Sequence, residues 1–107
     1  MSVFMIETYV VKSEKREEFI PALKRFLEYK EENPEVFEGL KSWKLFQQEY
    51  GAISGLYIEM WEFDSLADVE RTMSRIFQEE AMKKISQEFH SLIEPATYST
   101  NIWSMVA

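Results

Sequence analysis

The chain opens on an apolar run with no preferred side. Residues 3–12 read VFMIETYVVK, rich in β-branched and aromatic residues, and predict a strand. Val3, Met5, Tyr9 and Val11 share one parity, while Phe4, Ile6 and Val10 share the other. Both faces of this strand are therefore expected to be covered. The period then lengthens. Over residues 14–32, Phe19, Leu23, Phe26 and Leu27 recur at helical spacing, with Ser13 as the expected cap and Asn33-Pro34 as the stop. Pro21 falls inside this stretch and marks either a late start or a kink in the second turn. Residues 40–48 predict a second strand, 49–52 a turn, and 53–63 a third strand, again apolar on both parities. Ser65 then introduces a long second helix striped by Leu66, Val69, Met73, Ile76, Phe77, Ile85, Phe89 and Leu92. Ser65 and Asp68 have the spacing of a capping box. The stripe thins over residues 78–81, where a bend is expected. Glu94-Pro95 ends the helix, and residues 97–106 predict the last strand.

The order β-α-β-β-α-β predicts an α+β, ferredoxin-like domain spanning residues 1–107. Right-handed crossovers place both helices on one face of an antiparallel sheet and leave the other face open. An open face should alternate apolar and polar residues, and the first and third strands do not. Exposing large side chains such as Met5, Tyr57 and Trp61, or their neighbours of opposite parity, would forfeit roughly 1.5–3 kcal/mol each. The expected cover is a second copy of the same sheet, giving a homodimer.

Composition narrows the partners. Aromatic residues make up 15% of the chain, high for so small a core, which points to a lined pocket, an interface, or both. A net charge of −7 disfavours nucleic acid and anionic membrane surfaces. With no cysteine, disulfides, thiolate catalysis and cysteine metal sites are excluded. The first residues do not read as a signal peptide, and no apolar run approaches spanning length, so a cytoplasmic location is the default expectation.

Two stretches carry a family resemblance. Residues 7–19, ETYVVKSEKREEF, resemble the opening strand and helix start of the dimeric α/β-barrel superfamily, which includes antibiotic-biosynthesis-monooxygenase-like and NIPSNAP-like domains. Residues 57–67, YIEMWEFDSLA, are similar to that group's third strand, which ends in Trp-Glu and enters a Ser-Leu helix start. The resemblance implies two sheets facing each other as a barrel, helices outside, and in each subunit a pocket between its sheet and helices. Its members include cofactor-free oxygenases of phenols and quinols, haem-degrading oxygenases, lactone isomerases, aldoxime dehydratases and proteins without known activity. The haem degraders use a first-strand Asn and a Trp and His of the second helix. Here Thr8 takes the first position, the second helix has no Trp, and His90 lies near its far end.

Several residues are candidates for a site. Trp61 either lines the pocket and stacks on an aromatic ligand or packs in the core, and Tyr57 shares that ambiguity. Glu7 and Glu59 lie among apolar neighbours, where burial would raise a carboxyl pKa and make a general base; otherwise they pair with Arg71 or Arg75. His90 titrates near neutrality when unperturbed and is either catalytic or a surface residue. Arg71 and Arg75 share a helix face and either hold an anionic group at the rim or pair with Glu70, Glu79 and Asp68. No metal-ligand spacing, phosphate loop or nucleophile elbow is present. Two functions follow. One is a cofactor-independent monooxygenase of phenolic or quinol-type substrates, with Trp61, Tyr57, Phe26, Met73, Phe77 and Arg71 around the substrate and Glu59, Glu7 or His90 moving protons. The other is a non-catalytic dimer that binds a hydrophobic molecule or serves assembly.

Overall fold

The computed structural model describes residues 2–107. Its elements are β1 (Val3–Val10), α1 (Arg16–Glu32), β2 (Ser42–Gln47), β3 (Leu56–Phe63), α2 (Leu66–Gln78), α3 (Glu80–Leu92) and β4 (Ser99–Ser104). The strands form one antiparallel sheet in the order β2-β3-β1-β4, the ferredoxin-like arrangement. The two strands with apolar residues on both parities, β1 and β3, are the central pair, as double coverage requires.

Register decides which parity faces the helices. Val3, Met5, Glu7 and Tyr9 of β1 stand opposite Phe63, Trp61, Glu59 and Tyr57 of β3. Met5, Trp61 and Phe63 share a buried cluster with Phe26 of α1, Val69 and Ile76 of α2, and Met82 of α3. The three helices therefore cover one face. Phe4, Ile6, Thr8 and Val10 stand opposite Glu62, Met60, Ile58 and Leu56 and point the other way. Phe46 and Trp103 join them there, about half exposed. Ile6, in the middle of this face between Met60 and Asn101, is only 1% exposed. The open face is thus an apolar patch built from the even-numbered residues of β1. Met5, Tyr57 and Trp61 lie on the helix side.

Local chemistry shifts several boundaries. Ser13 starts a single 3-10 turn rather than capping α1, and its hydroxyl donates to Glu14 instead. Pro21 sits inside α1, in its second turn. The buried side of α1 is Phe19, Ala22 and Phe26; Leu27 faces out. The connection after α1 is another short turn, Pro34–Phe37, and it drives Val36 and Phe37 into the core. Ser65 caps α2 by accepting from the Asp68 N–H at 3.2 Å.

The expected bend falls at Glu79. This residue leaves the helical region (φ −81°, ψ 124°) and divides the long helix into α2 and α3. The far end of α3 is tied to the sheet by an isolated bridge between Val11 and Ile93 and by Glu94 N–H donating to Val10 O at 2.8 Å. Among the described residues, no helix is long and apolar enough to cross a membrane.

Candidate functional site

Between the sheet and the two halves of the divided helix lies a cavity of about 430 Å³. Its walls are apolar: Phe26 from α1, Val69, Met73, Ile76 and Phe77 from α2, and Met82, Ile85 and Phe89 from α3. Its floor is the helix face of the central strands, where Met5, Glu7, Tyr9, Glu59 and Trp61 meet. Tyr98 and Thr100 close one side, and Glu70, Ser86 and His90 lie around it. The divided helix matters here. A straight rod would touch the sheet along one line, whereas two rods joined at Glu79 can splay and leave space beneath them.

The floor carries the chemistry. Glu7 and Glu59 are cross-strand partners on the same face, so their side chains lie side by side. Glu59 is 8% exposed. It accepts a hydrogen bond from the Tyr9 hydroxyl at 2.5 Å and one from Trp61 Nε1 at 3.0 Å. Burial, and then the neighbouring Glu7 charge, push its pKa up to about 7, against the pull of those two donors. Glu7 accepts from the Tyr98 hydroxyl, which in turn accepts from Thr100 Oγ1 at 3.3 Å. Burial raises the Glu7 pKa as well, and the Tyr98 bond and the nearby His90 charge oppose the rise. The same burial and carboxylate charges push the Tyr9 and Tyr98 hydroxyls above the ordinary phenol range, so both remain donors. The His90 ring stands edge-on to Tyr98 at 5.1 Å, where the site meets solvent.

Of the residues singled out in the sequence, Glu7, Glu59, His90, Trp61, Phe26, Met73 and Phe77 all line this one cavity. Tyr57 does not. It lies further along β3, stacked on Tyr9 and packed on Phe19 with ring centroids 4.6 Å apart. Arg71 also lies elsewhere. Its guanidinium pairs with Asp68 at 2.6 Å beside a separate polar depression, where Arg75 donates to the Glu38 carbonyl. Neither arginine reaches Glu7 or Glu59, and the carboxylate pair has no cationic partner from that helix face. The reading from sequence did not single out Tyr9 and Tyr98. Tyr9 had a signal, since it shares Glu7's parity two residues on. Tyr98 had none, because it reaches Glu7 across 91 positions of chain.

Trp43 packs on Phe26 and Trp61, and its Nε1 is buried without a hydrogen-bond partner among the described residues. No group of three or more His, Asp and Glu side chains converges as a metal site among those residues.

The fold and site together define an α+β protein of ferredoxin-like architecture with a cavity between sheet and helices. Solved structures with this fold include a NIPSNAP family protein from Agrobacterium tumefaciens (TM-score 0.75, 17% identity, 97% of this chain and 92% of that one). A candidate antibiotic biosynthesis monooxygenase from Caulobacter crescentus is also similar (TM-score 0.70, 12% identity, 99% and 91%). A third is a dimeric protein of unknown function with a ferredoxin-like fold from Bacteroides fragilis (TM-score 0.66, 14% identity, 97% and 96%). At these identities the likeness is one of fold. No model of a known protein family matches the chain, and no curated protein matches it.

Proposed function

We propose that this chain binds a small aromatic molecule in the cavity and moves a proton from it, acting as a cofactor-independent monooxygenase of phenolic or quinol-type substrates. The observation that carries this reading is the Glu7–Glu59 pair, Glu59 buried and Glu7 partly so, on the floor of a largely apolar space. A carboxylate with a pKa near 7 is poised at neutral pH to take a phenolic proton. Each carboxylate oxygen has a second acceptor site beyond the bond it already receives, so Glu59 can accept from a ligand while Tyr9 and Trp61 hold it. A hydroquinone supplies its own electrons. One oxygen atom of O2 enters the ring to give a hydroxyquinone, and the other leaves as water. The fold shared with a candidate monooxygenase is consistent with this chemistry.

A non-catalytic hydrophobic-ligand carrier is the second reading. It is favoured by the donors on the floor, all of which are spent on the two carboxylates, leaving none to steady an oxyanion.

The protein is further proposed to be a homodimer through its open sheet face. The support is the apolar character of Phe4, Ile6, Ile58, Met60, Phe46 and Trp103, together with the dimeric structure of similar fold.

Oxygen uptake against a panel of hydroquinones and flavonoid phenols tests the reaction. The native protein is expected to turn over at least one of them. Glu59→Gln should abolish turnover, and Trp61→Phe should weaken it. No uptake with any member would remove the oxygenase reading and leave the carrier.

A further inference from the structure

The cavity has a sign. Among the described residues three carboxylates line it, those of Glu7, Glu59 and Glu70, and no lysine or arginine does. Basic side chains pair elsewhere on the surface, Arg25 with Glu88, Lys41 with Asp64, Arg71 with Asp68 and Lys83 with Glu80. Buried carboxylates are ordinarily matched by a cation, because an unmatched charge in an apolar space is costly. Among the described residues, the one basic side chain lining the cavity is His90, at its exposed end and edge-on to Tyr98.

The hydrogen-bond inventory points the same way. The Tyr9 hydroxyl and Trp61 Nε1 both donate to Glu59, and the Tyr98 hydroxyl donates to Glu7. What remains available on the floor is acceptor capacity. A protonated amine has donors and no acceptor, so it complements such a floor, whereas an anion meets two carboxylates there and finds a donor or a countercharge only at the rim, at Ser86 and His90. The aromatic residues Phe26, Trp61, Phe89 and Tyr98 line the cavity, and an aromatic face within reach attracts a cation. The apolar walls on α2 and α3 can take a hydrocarbon body.

We propose that the cavity takes ligands in which a protonated amine is joined to an aromatic or alkyl body, with the ammonium seated against the Glu7 and Glu59 carboxylates. This rests on reading the cavity as a small-molecule site and adds its charge preference. A substrate class follows: phenols and hydroquinones that bear a basic nitrogen are accepted ahead of their neutral counterparts, and carboxylated or phosphorylated ones are refused.

Three probes of one shape test it: phenylbutylamine, phenylbutanol and phenylbutanoate, titrated by calorimetry and tryptophan fluorescence into the native protein, Glu7→Gln and Glu59→Gln. The amine is expected to bind the native protein at least about tenfold more tightly than the alcohol, and the acid most weakly. Each glutamine variant should shrink the amine's advantage over the alcohol. The proposal is overturned if amine and alcohol bind the native protein equally, if the acid binds best, or if the amine's advantage survives in both variants. Binding of the alcohol without preference for the amine leaves the small-molecule site standing and removes only its charge preference. Failure of all three probes removes both.

Discussion

Glu7 and Glu59 face each other in register across the two central strands, and both point to the helix side of the sheet, into the cavity. Like charges set opposite on a sheet repel, and burial denies them the solvent that would soften the repulsion. Stability is therefore tied to their protonation. Glu59 is raised from 4.5 to about 7, so the folded state binds a proton that the unfolded state has already lost between those values. The stabilisation is fully present below about pH 4.5 and is lost as pH rises through about 7, an effect on the order of 3 kcal/mol. Chemical denaturation of the native protein should show this fall between about pH 4.5 and pH 7, and Glu59→Gln should flatten it. An equally steep fall in the variant would show that Glu59 is not its source.

Gly39 offers a test of the joint between the Pro34–Phe37 turn and α2. Its φ is +101°, and a Cβ there would lie 2.5 Å from Thr72 Oγ1. That hydroxyl donates to the Glu38 carbonyl at 2.8 Å and is buried. Gly39→Ala should cost about 2 kcal/mol or more, combining backbone strain with the displaced bond. Gly55, also at positive φ but with open space around it, should lose only about 1 kcal/mol on the same change. Equal losses in urea melts would mean that Thr72 yields without penalty.

Phe63 and Phe77 separate the core from the cavity wall. Phe63 is 0% exposed, whereas Phe77 is 54% exposed and lines the cavity. Phe63→Ala should cost about 3–5 kcal/mol, and Phe77→Ala about 1 kcal/mol or less. Phe77→Ala should instead weaken binding of a hydrophobic probe, read by tryptophan fluorescence. A stability loss at Phe77 matching that at Phe63 would place it in the core.

The open face carries its own prediction. Ile58 stands opposite Thr8 and Phe46 on that face, away from the cavity. Ile58→Lys should convert a dimer to monomers in sedimentation velocity without unfolding the chain. A native protein that sediments as a monomer at tens of micromolar would sink the dimer outright.

Much of the fold was legible because its signals are local. The β-branched and aromatic runs of β1 and β3, the stop at Asn33-Pro34 and the thinning stripe before Glu79 each act over a few residues. The side of the sheet that the helices cover was not legible, since β1 and β3 are apolar on both parities and only register breaks the tie. For the site, Glu7 and Glu59 stood out as carboxylates in apolar strands. Their tyrosine partners did not, because a hydrogen bond between Tyr98 and Glu7 depends on β4 returning beside β1. Arg71 shows the converse. Its spacing from Arg75 left an anion clamp and a pairing with Asp68 both open, and Asp68, three residues away on the same helix, holds it.

The division at Glu79 separates two responsibilities along the chain. The paired carboxylates sit on hydrogen-bonded strands, while most of the hydrocarbon lining belongs to two short rods meeting at an unhelical joint. Side chains on α2 or α3 can thus be exchanged without changing the strand register that spaces the acids beneath. In the proposed site, the room for a ligand and the spacing of the acids rest on different elements.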